Sequence, residues 1–245
     1  MSRHPISLVV ALLLAGCAAA PGVQDSTPAP TPIVLPESAS TLDTSRDDAR
    51  LAVRSLVTVV EAVEPVAEAI CRDRSPDLNC DFAFAVDRNP NAPPNAFQTL
   101  GPDGRPIVAF TVALLAEARN VDEMAFILSH EAAHHIEGHL ARQRRNATIG
   151  AAIMGQVVGL SDDPDVGRRA AEFGAAIGAR TYSKDFELEA DALGTVIAAQ
   201  AGYDPVRGAA FFFRIPDPGD TFLGTHPANA ERVRIVQRTA ARLGL

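Results

Sequence analysis

Two periods of apolar and polar residues run along the chain and divide it into helical and extended stretches. The capping-box pattern Ser45-Arg46-Asp47-Asp48 leads into an apolar stripe at Leu51, Val53, Leu56, Val57, Val60 and Val63. That spacing predicts a long helix ending before Cys71, with Pro65 as its bending point. Phe82, Phe84 and Val86 then alternate with smaller residues, a strand signature. A Pro/Asn-rich loop, Asn89 to Asn95, precedes a hairpin turned at Pro102-Asp103-Gly104, whose second strand is Ile107 to Thr111. Asn120 caps the next helix, with Glu123 at the capping-box position. Met124, Ile127, Leu128 and Ala132 keep a helical period there, and the pattern predicts one helix through Arg145. Two Ala/Gly-rich segments, 147–160 and 170–179, are too short and too rich in glycine to span a membrane. They suit either a movable cover or tightly packed helices. Further helices are predicted from about Asp185 to Gln200, stopped by Gly202, from Asp204-Pro205, and from Pro227 to about Leu243. The fold class is α+β, mostly helical, with a small sheet beside the central helix.

The first 44 residues read differently. Arg3 and an apolar run from Ile6 to Ala15 form a secretory signal, residues 1–16. Its ending, Leu14-Ala15-Gly16-Cys17, resembles the lipobox of bacterial lipoproteins. The resemblance implies cleavage before Cys17 and lipid on that residue. Ala18 in place of Asp implies the outer membrane, periplasmic face, and several acyl chains on one residue anchor firmly. Residues 17–44 are rich in Pro, Ser, Thr and Ala and read as a tether reaching on the order of 80 Å. The folded domain is expected over 45–245. Cys71 and Cys80 in an oxidising compartment are expected to pair, closing a short loop worth roughly 2–3 kcal/mol.

The chain is 47% hydrophobic but only 5% aromatic and lacks Trp, so its core must be mostly aliphatic with Phe as the large pieces. A net charge of −8 argues against nucleic acid as a partner. The one basic block, Arg142 to Arg145, reads as a solvated helix end.

Four of the six histidines lie between Leu128 and Leu140. On a helix His130 and His134 are one turn apart and reach one ion, with Glu131 placed to touch a water on it. This is H-E-x-x-H: two zinc ligands and a general base. The metzincin continuation is excluded, because Glu137 and Leu140 stand where it needs Gly and His. A catalytic zinc wants a third protein ligand, and Glu187 in Phe186-Glu187-Leu188-Glu189-Ala190-Asp191 is the best candidate. Asp191, a turn on, can bond the outer nitrogen of a zinc histidine. His135 and His139 suit packed or surface positions, or else a second metal site.

"SHEAAHHIEGH", "YSKDFELEAD" and "THPANAER" together resemble, in order and spacing, the gluzincin group that includes the HtpX heat-shock protease, the CAAX prenyl protease and BepA. The resemblance spans roughly residues 80–240. It implies a gluzincin fold, one zinc ion held by His130, His134 and Glu187, Glu131 as base and Asp191 as the supporting acid. It places His226 near the metal, as oxyanion stabiliser or as a latch on the open position, and Arg232 close to the site. It also implies that Ile107 to Thr111 is the strand edge that aligns a substrate backbone. Lys184 stands where the group commonly has Arg, and a lysine point charge is not an arginine fork.

The implied activity is zinc-dependent endopeptidase action on misfolded or incompletely assembled envelope proteins in the periplasm. The alternatives are a zinc-stabilised, chaperone-like binding lipoprotein without turnover, which the intact Glu131 disfavours, and a non-peptidase zinc hydrolase. Only substrate assays separate the last from a peptidase.

Overall fold

The structure is a computed structural model that describes residues 39–158, 163–181, 183–217 and 227–245, with side chains from residue 50 onward. The expected signal, Cys17 as the expected site of lipidation, and His226 lie outside the described residues.

Helix α1 (Ala39–Arg74) begins six residues earlier than the capping box suggested, inside the stretch expected to be tether. Pro36 is the last proline before it, and nothing in residues 39–44 forbids a helix. Its buried face is Leu56, Val59, Val63, Ala67 and Cys71, a strict 3/4 spacing. Leu51, Val53 and Val57, expected on the core stripe, are 59%, 47% and 51% exposed, so these three lie off the packed face of α1. The helix also runs past Cys71 and stops at Ser75-Pro76. There Ser75 Oγ donates to the Ile136 carbonyl at 2.8 Å and ties the end of α1 to the end of the central helix. The Cys71–Cys80 disulfide is formed, with Cα atoms 5.7 Å apart.

Three strands follow: β1 (Ala83–Asp87), β2 (Ala96–Leu100) and β3 (Pro106–Thr111). The hairpin forms as expected, with Phe97 opposite Ala109 and Gln98 opposite Val108. Gly104 takes the left-handed conformation its turn requires, φ +78°. The order is β1-β3-β2, with β1 parallel to β3. Ile107 to Thr111 is therefore the centre of the sheet, bonded on both sides, and not the edge the resemblance implied. The free edge on the hairpin side is β2.

A short helix not anticipated from the pattern, α2 (Val112–Glu117), is capped by the Thr111 hydroxyl. The central helix α3 (Val121–Ile136) starts at Asn120, whose side chain accepts from Glu123 N at 3.0 Å. The reciprocal arm is shifted by one: Glu123 Oε2 accepts from Arg119 N, and the carboxylate is also clasped by Arg214 at 2.6 and 2.7 Å. Nearly every side of α3 is buried. It does not continue to Arg145. Gly138 turns left-handed, φ +66°, and a new helix α4 (His139–Val158) sets off.

α4 and α5 (Pro164–Arg180) lie backbone to backbone. A Cβ on Gly150 would fall 2.1 Å from the Gly174 carbonyl, and one on Gly178 would fall 2.1 Å from that of Asn146. Over their described residues the Ala/Gly segments are thus tightly packed helices. α6 (Ser183–Gln200) packs along α3 and ends at left-handed Gly202. α7 (Pro205–Gly208), capped by Asp204, passes into a 3-10 turn over Ala209–Phe213. α8 (Asn229–Leu243) closes the chain against left-handed Gly244. The core joins Val59 and Val63, Phe82, Val108, Phe110, Phe126, Leu128, Ile197 and Val236, aliphatic with phenylalanine as expected. Among the described residues no helix is long and apolar enough to cross a membrane.

Candidate metal centre

α3 and α6 meet at the site. A Cβ on Gly194 of α6 would lie 2.9 Å from His130 N and 3.0 Å from His130 Cα, so the two backbones touch at a candidate ligand. Gly194→Ala is expected to push the helices apart at a cost of about 1–3 kcal/mol and to weaken metal binding as well. Denaturant unfolding and zinc titration check this, and an unchanged midpoint with unchanged zinc binding would contradict it.

Across that contact three donors converge. The Nε2 atoms of His130 and His134 are 3.0 Å apart. Glu187 Oε2 lies 3.5 Å from the first and Oε1 lies 3.4 Å from the second. Among the described residues these three form the group able to hold a metal ion. Two imidazoles and a carboxylate are a zinc donor set. Ligands about 2.05 Å from a tetrahedral ion stand about 3.3 Å from one another. The observed 3.0–3.5 Å separations bracket that value. The residues present fit zinc.

Each histidine is held from behind. His130 Nδ1 donates to Asp191 Oδ1 at 3.0 Å. Asp191 is wholly buried and also takes Arg232 Nε and Nη2 at 2.8 and 2.7 Å. Arg232 lies 3.3 Å from Glu187 Oε2 and stacks over Phe212 at 4.0 Å. Burial works against a charged His130, but hydrogen bonds to Asp191 and Glu187 outweigh it and lift its pKa to about 9. The negative field that retains a proton there also attracts a cation, so the two compete.

His134 has a different support. Its Nδ1 lies 2.8 Å from His139 Nδ1, and His139 Nε2 lies 3.0 Å from Glu189 Oε2, which Arg142 clasps. His139 stacks on Phe186, centroids 4.6 Å apart. Burial pushes His139 down to about 4 against the opposing bond to Glu189, so the ring is neutral. Arg142 is accordingly a partner in the site and not simply a solvated helix end. Glu189 and His139 were not singled out from sequence as site residues. The signal was present: Glu189 sits between Glu187 and Asp191, and His139 closes the histidine run.

Among the described residues His135 joins no second group able to hold a metal. Its Nε2 bonds the Asn79 carbonyl at 2.8 Å and its ring meets Phe82 edge-on at 5.4 Å. Lys184 lies in the first turn of α6.

The cleft over these residues has a volume of about 700 Å³. Ala96, Phe97 and Gln98 of β2 line it, with Glu131, Leu114, Phe126, Ile127, Phe211 and Ile215. Among the described residues of α4 and α5 only Leu140 lines it, so those helices do not cover the cleft there.

The profile of peptidase family M48 matches residues 59–240. The chain belongs to peptidase family M48. Family M48 membership makes the matched domain a metalloendopeptidase domain, and His130, His134 and Glu187 stand within it. The chain is 27% identical over 165 residues to the beta-barrel assembly-enhancing protease of Escherichia coli O157:H7, covering 61% of this chain and 33% of that one. A Vibrio cholerae protein named for the same activity is 30% identical over 171 residues, 64% of this chain and 34% of that one. The mitochondrial metalloendopeptidase OMA1 of Arabidopsis thaliana is 29% identical over 134 residues, 53% of this chain and 27% of that one. The chain spans about a third of the length of the first two.

Proposed function

We propose that the protein is a zinc-dependent endopeptidase that hydrolyses misfolded or incompletely assembled envelope proteins in the periplasm. In this reading a lipid on Cys17 tethers it to the periplasmic face of the outer membrane. The observation that carries the proposal is the convergence of His130, His134 and Glu187 beside Glu131, in a cleft walled by a sheet edge. The printed names of its bacterial relatives point to outer-membrane assembly as the setting.

His130, His134 and Glu187 would hold zinc, which would supply Lewis acidity and make a water molecule more acidic. Glu131, in the lining of the cleft, would serve as the base that accepts a proton from the attacking water and returns it to the leaving amine. The unpaired edge of β2, Ala96 to Leu100, hydrogen-bonds the substrate backbone as an added strand. An unfolded segment can supply such a strand, whereas a folded one has its backbone already paired. Asp191 and Arg232 hold His130 in orientation. The role that the resemblance implies for His226, oxyanion stabiliser or latch, is part of the same proposal.

The test is degradation of casein by the full chain with its metal. Cleavage that a chelator abolishes and added zinc restores is expected. Chelator-insensitive cleavage would exclude the metal mechanism. Binding of casein without cleavage, by wild type and by His226→Ala alike, would favour the zinc-stabilised binding protein. Faster cleavage by His226→Ala would identify a latch, and slower cleavage an oxyanion role.

A further inference from the structure

We propose that His139 is a positioning residue for His134, forcing it to present Nε2 to the metal. The inference rests on the zinc reading of the site and deepens it. His134 Nε2 faces His130 Nε2 and Glu187, so its lone pair must be free there for a metal. The ring proton then sits on Nδ1. Facing it at 2.8 Å is His139 Nδ1, which must be an acceptor, because two N–H groups cannot point at each other across that distance. His139 therefore carries its proton on Nε2 and donates it to Glu189 Oε2 at 3.0 Å. Arg142 holds Glu189 in place, Nη2 to Oε1 at 3.3 Å, with a second, shorter contact from Nη1 to Oε2. One arrangement of protons satisfies all four ring nitrogens, and it is the one that leaves His134 Nε2 open.

A buried histidine that merely fills space would need only its contact with Phe186. This one links a metal ligand to a carboxylate–arginine pair. The chain repeats, through an inserted ring, the His130–Asp191–Arg232 arrangement on the other side of the site. The break at Gly138 makes the link. On an unbroken helix His139 would lie five residues beyond His134, about 140° around the axis, and could not meet its ring.

The test measures zinc affinity of the full chain by competition with a chromophoric chelator, alongside melting of the metal-free forms. His139→Phe keeps the ring and removes the acceptor. It is expected to weaken zinc binding about 10–100-fold while the metal-free protein melts within a few degrees of wild type. His139→Asn returns an acceptor oxygen to the position of Nδ1 and is expected to recover most of that loss. Affinity unchanged in His139→Phe, or no recovery in His139→Asn, overturns the proposal. If His139→Phe does not fold, Glu189→Gln carries the test: about tenfold weaker zinc binding supports the link, and unchanged binding overturns it. His134→Ala serves as the control. Wild-type affinity in that variant would place zinc elsewhere and sink the zinc reading of the site itself.

Discussion

Glu131→Gln is expected to lower peptide hydrolysis by about 10²–10⁴-fold while zinc content and melting temperature stay at wild-type values. The amide keeps the size and position of the carboxylate but cannot take a proton from water. Glu131 lines the cleft alongside His130 and His134 and is not one of the three converging donors, so removing its charge leaves the metal site complete. The check is a single-turnover assay on an unfolded protein with metal analysis of the same samples. Turnover within tenfold of wild type would mean that another group moves the proton. Loss of zinc together with turnover would mean that Glu131 supports binding.

The largest effect on stability is expected from Asp191→Ala. Asp191 is fully buried and holds both His130 and Arg232. Removing it leaves a buried guanidinium whose nearest remaining carboxylate oxygen is Glu187 Oε2 at 3.3 Å. Breaking a buried ion pair from one side typically costs about 3–5 kcal/mol. Equilibrium unfolding in urea should show that loss, and a change under 1 kcal/mol, on the order of a surface pair, would refute it. The pH dependence has a defined sign. Burial raises the Asp191 pKa, but Arg232 and the hydrogen bonds from His130 and Arg232 hold it below the ordinary 3.8. A carboxylate depressed on folding stabilises fully above its unfolded value and loses that contribution as pH falls through the folded one. The carboxylate's own share of the gap between wild type and Asp191→Ala should therefore be complete above about pH 3.8 and fade only below it. In the metal-free protein the share that comes from His130, raised from 6.5 to about 9 with the help of Asp191, should shrink as pH rises through that window.

The ligands were legible because helical spacing maps directly onto a face. His130 and His134 share one, and Glu187 and Asp191 share another, with no tertiary knowledge needed. The second histidine support was not legible, because it depends on where a helix stops. A lone glycine inside a helical period is tolerated, so nothing local separated Gly138 as a break from Gly138 as a passenger. Glu189, two residues from Glu187, points away from it on the helix, and only the turned chain brings His139 to meet it. Strand order escaped for a related reason. The alternation in Phe82–Val86 and the turn at Gly104 predict strands, but not which one lies in the middle. The near-continuous apolar run Ile107-Val108-Ala109-Phe110 was a usable hint, since strands buried on both faces read that way. In α1, Leu51, Val53 and Val57 fit a helical stripe, but the face that packs carries Ala52, Leu56, Val59 and Val63 instead.

The disulfide has a practical side. Asn79 sits next to Cys80, inside the loop that the bridge closes onto α1, and its carbonyl receives His135 from the next position after His134. The metal-bearing helix thus leans, on its far side, against a covalently stapled strap. Reducing agents added at the bench to protect cysteines would unfasten that strap and create two thiols able to scavenge zinc. Preparations made with and without thiols are then different reagents, and activities measured on them are not interchangeable.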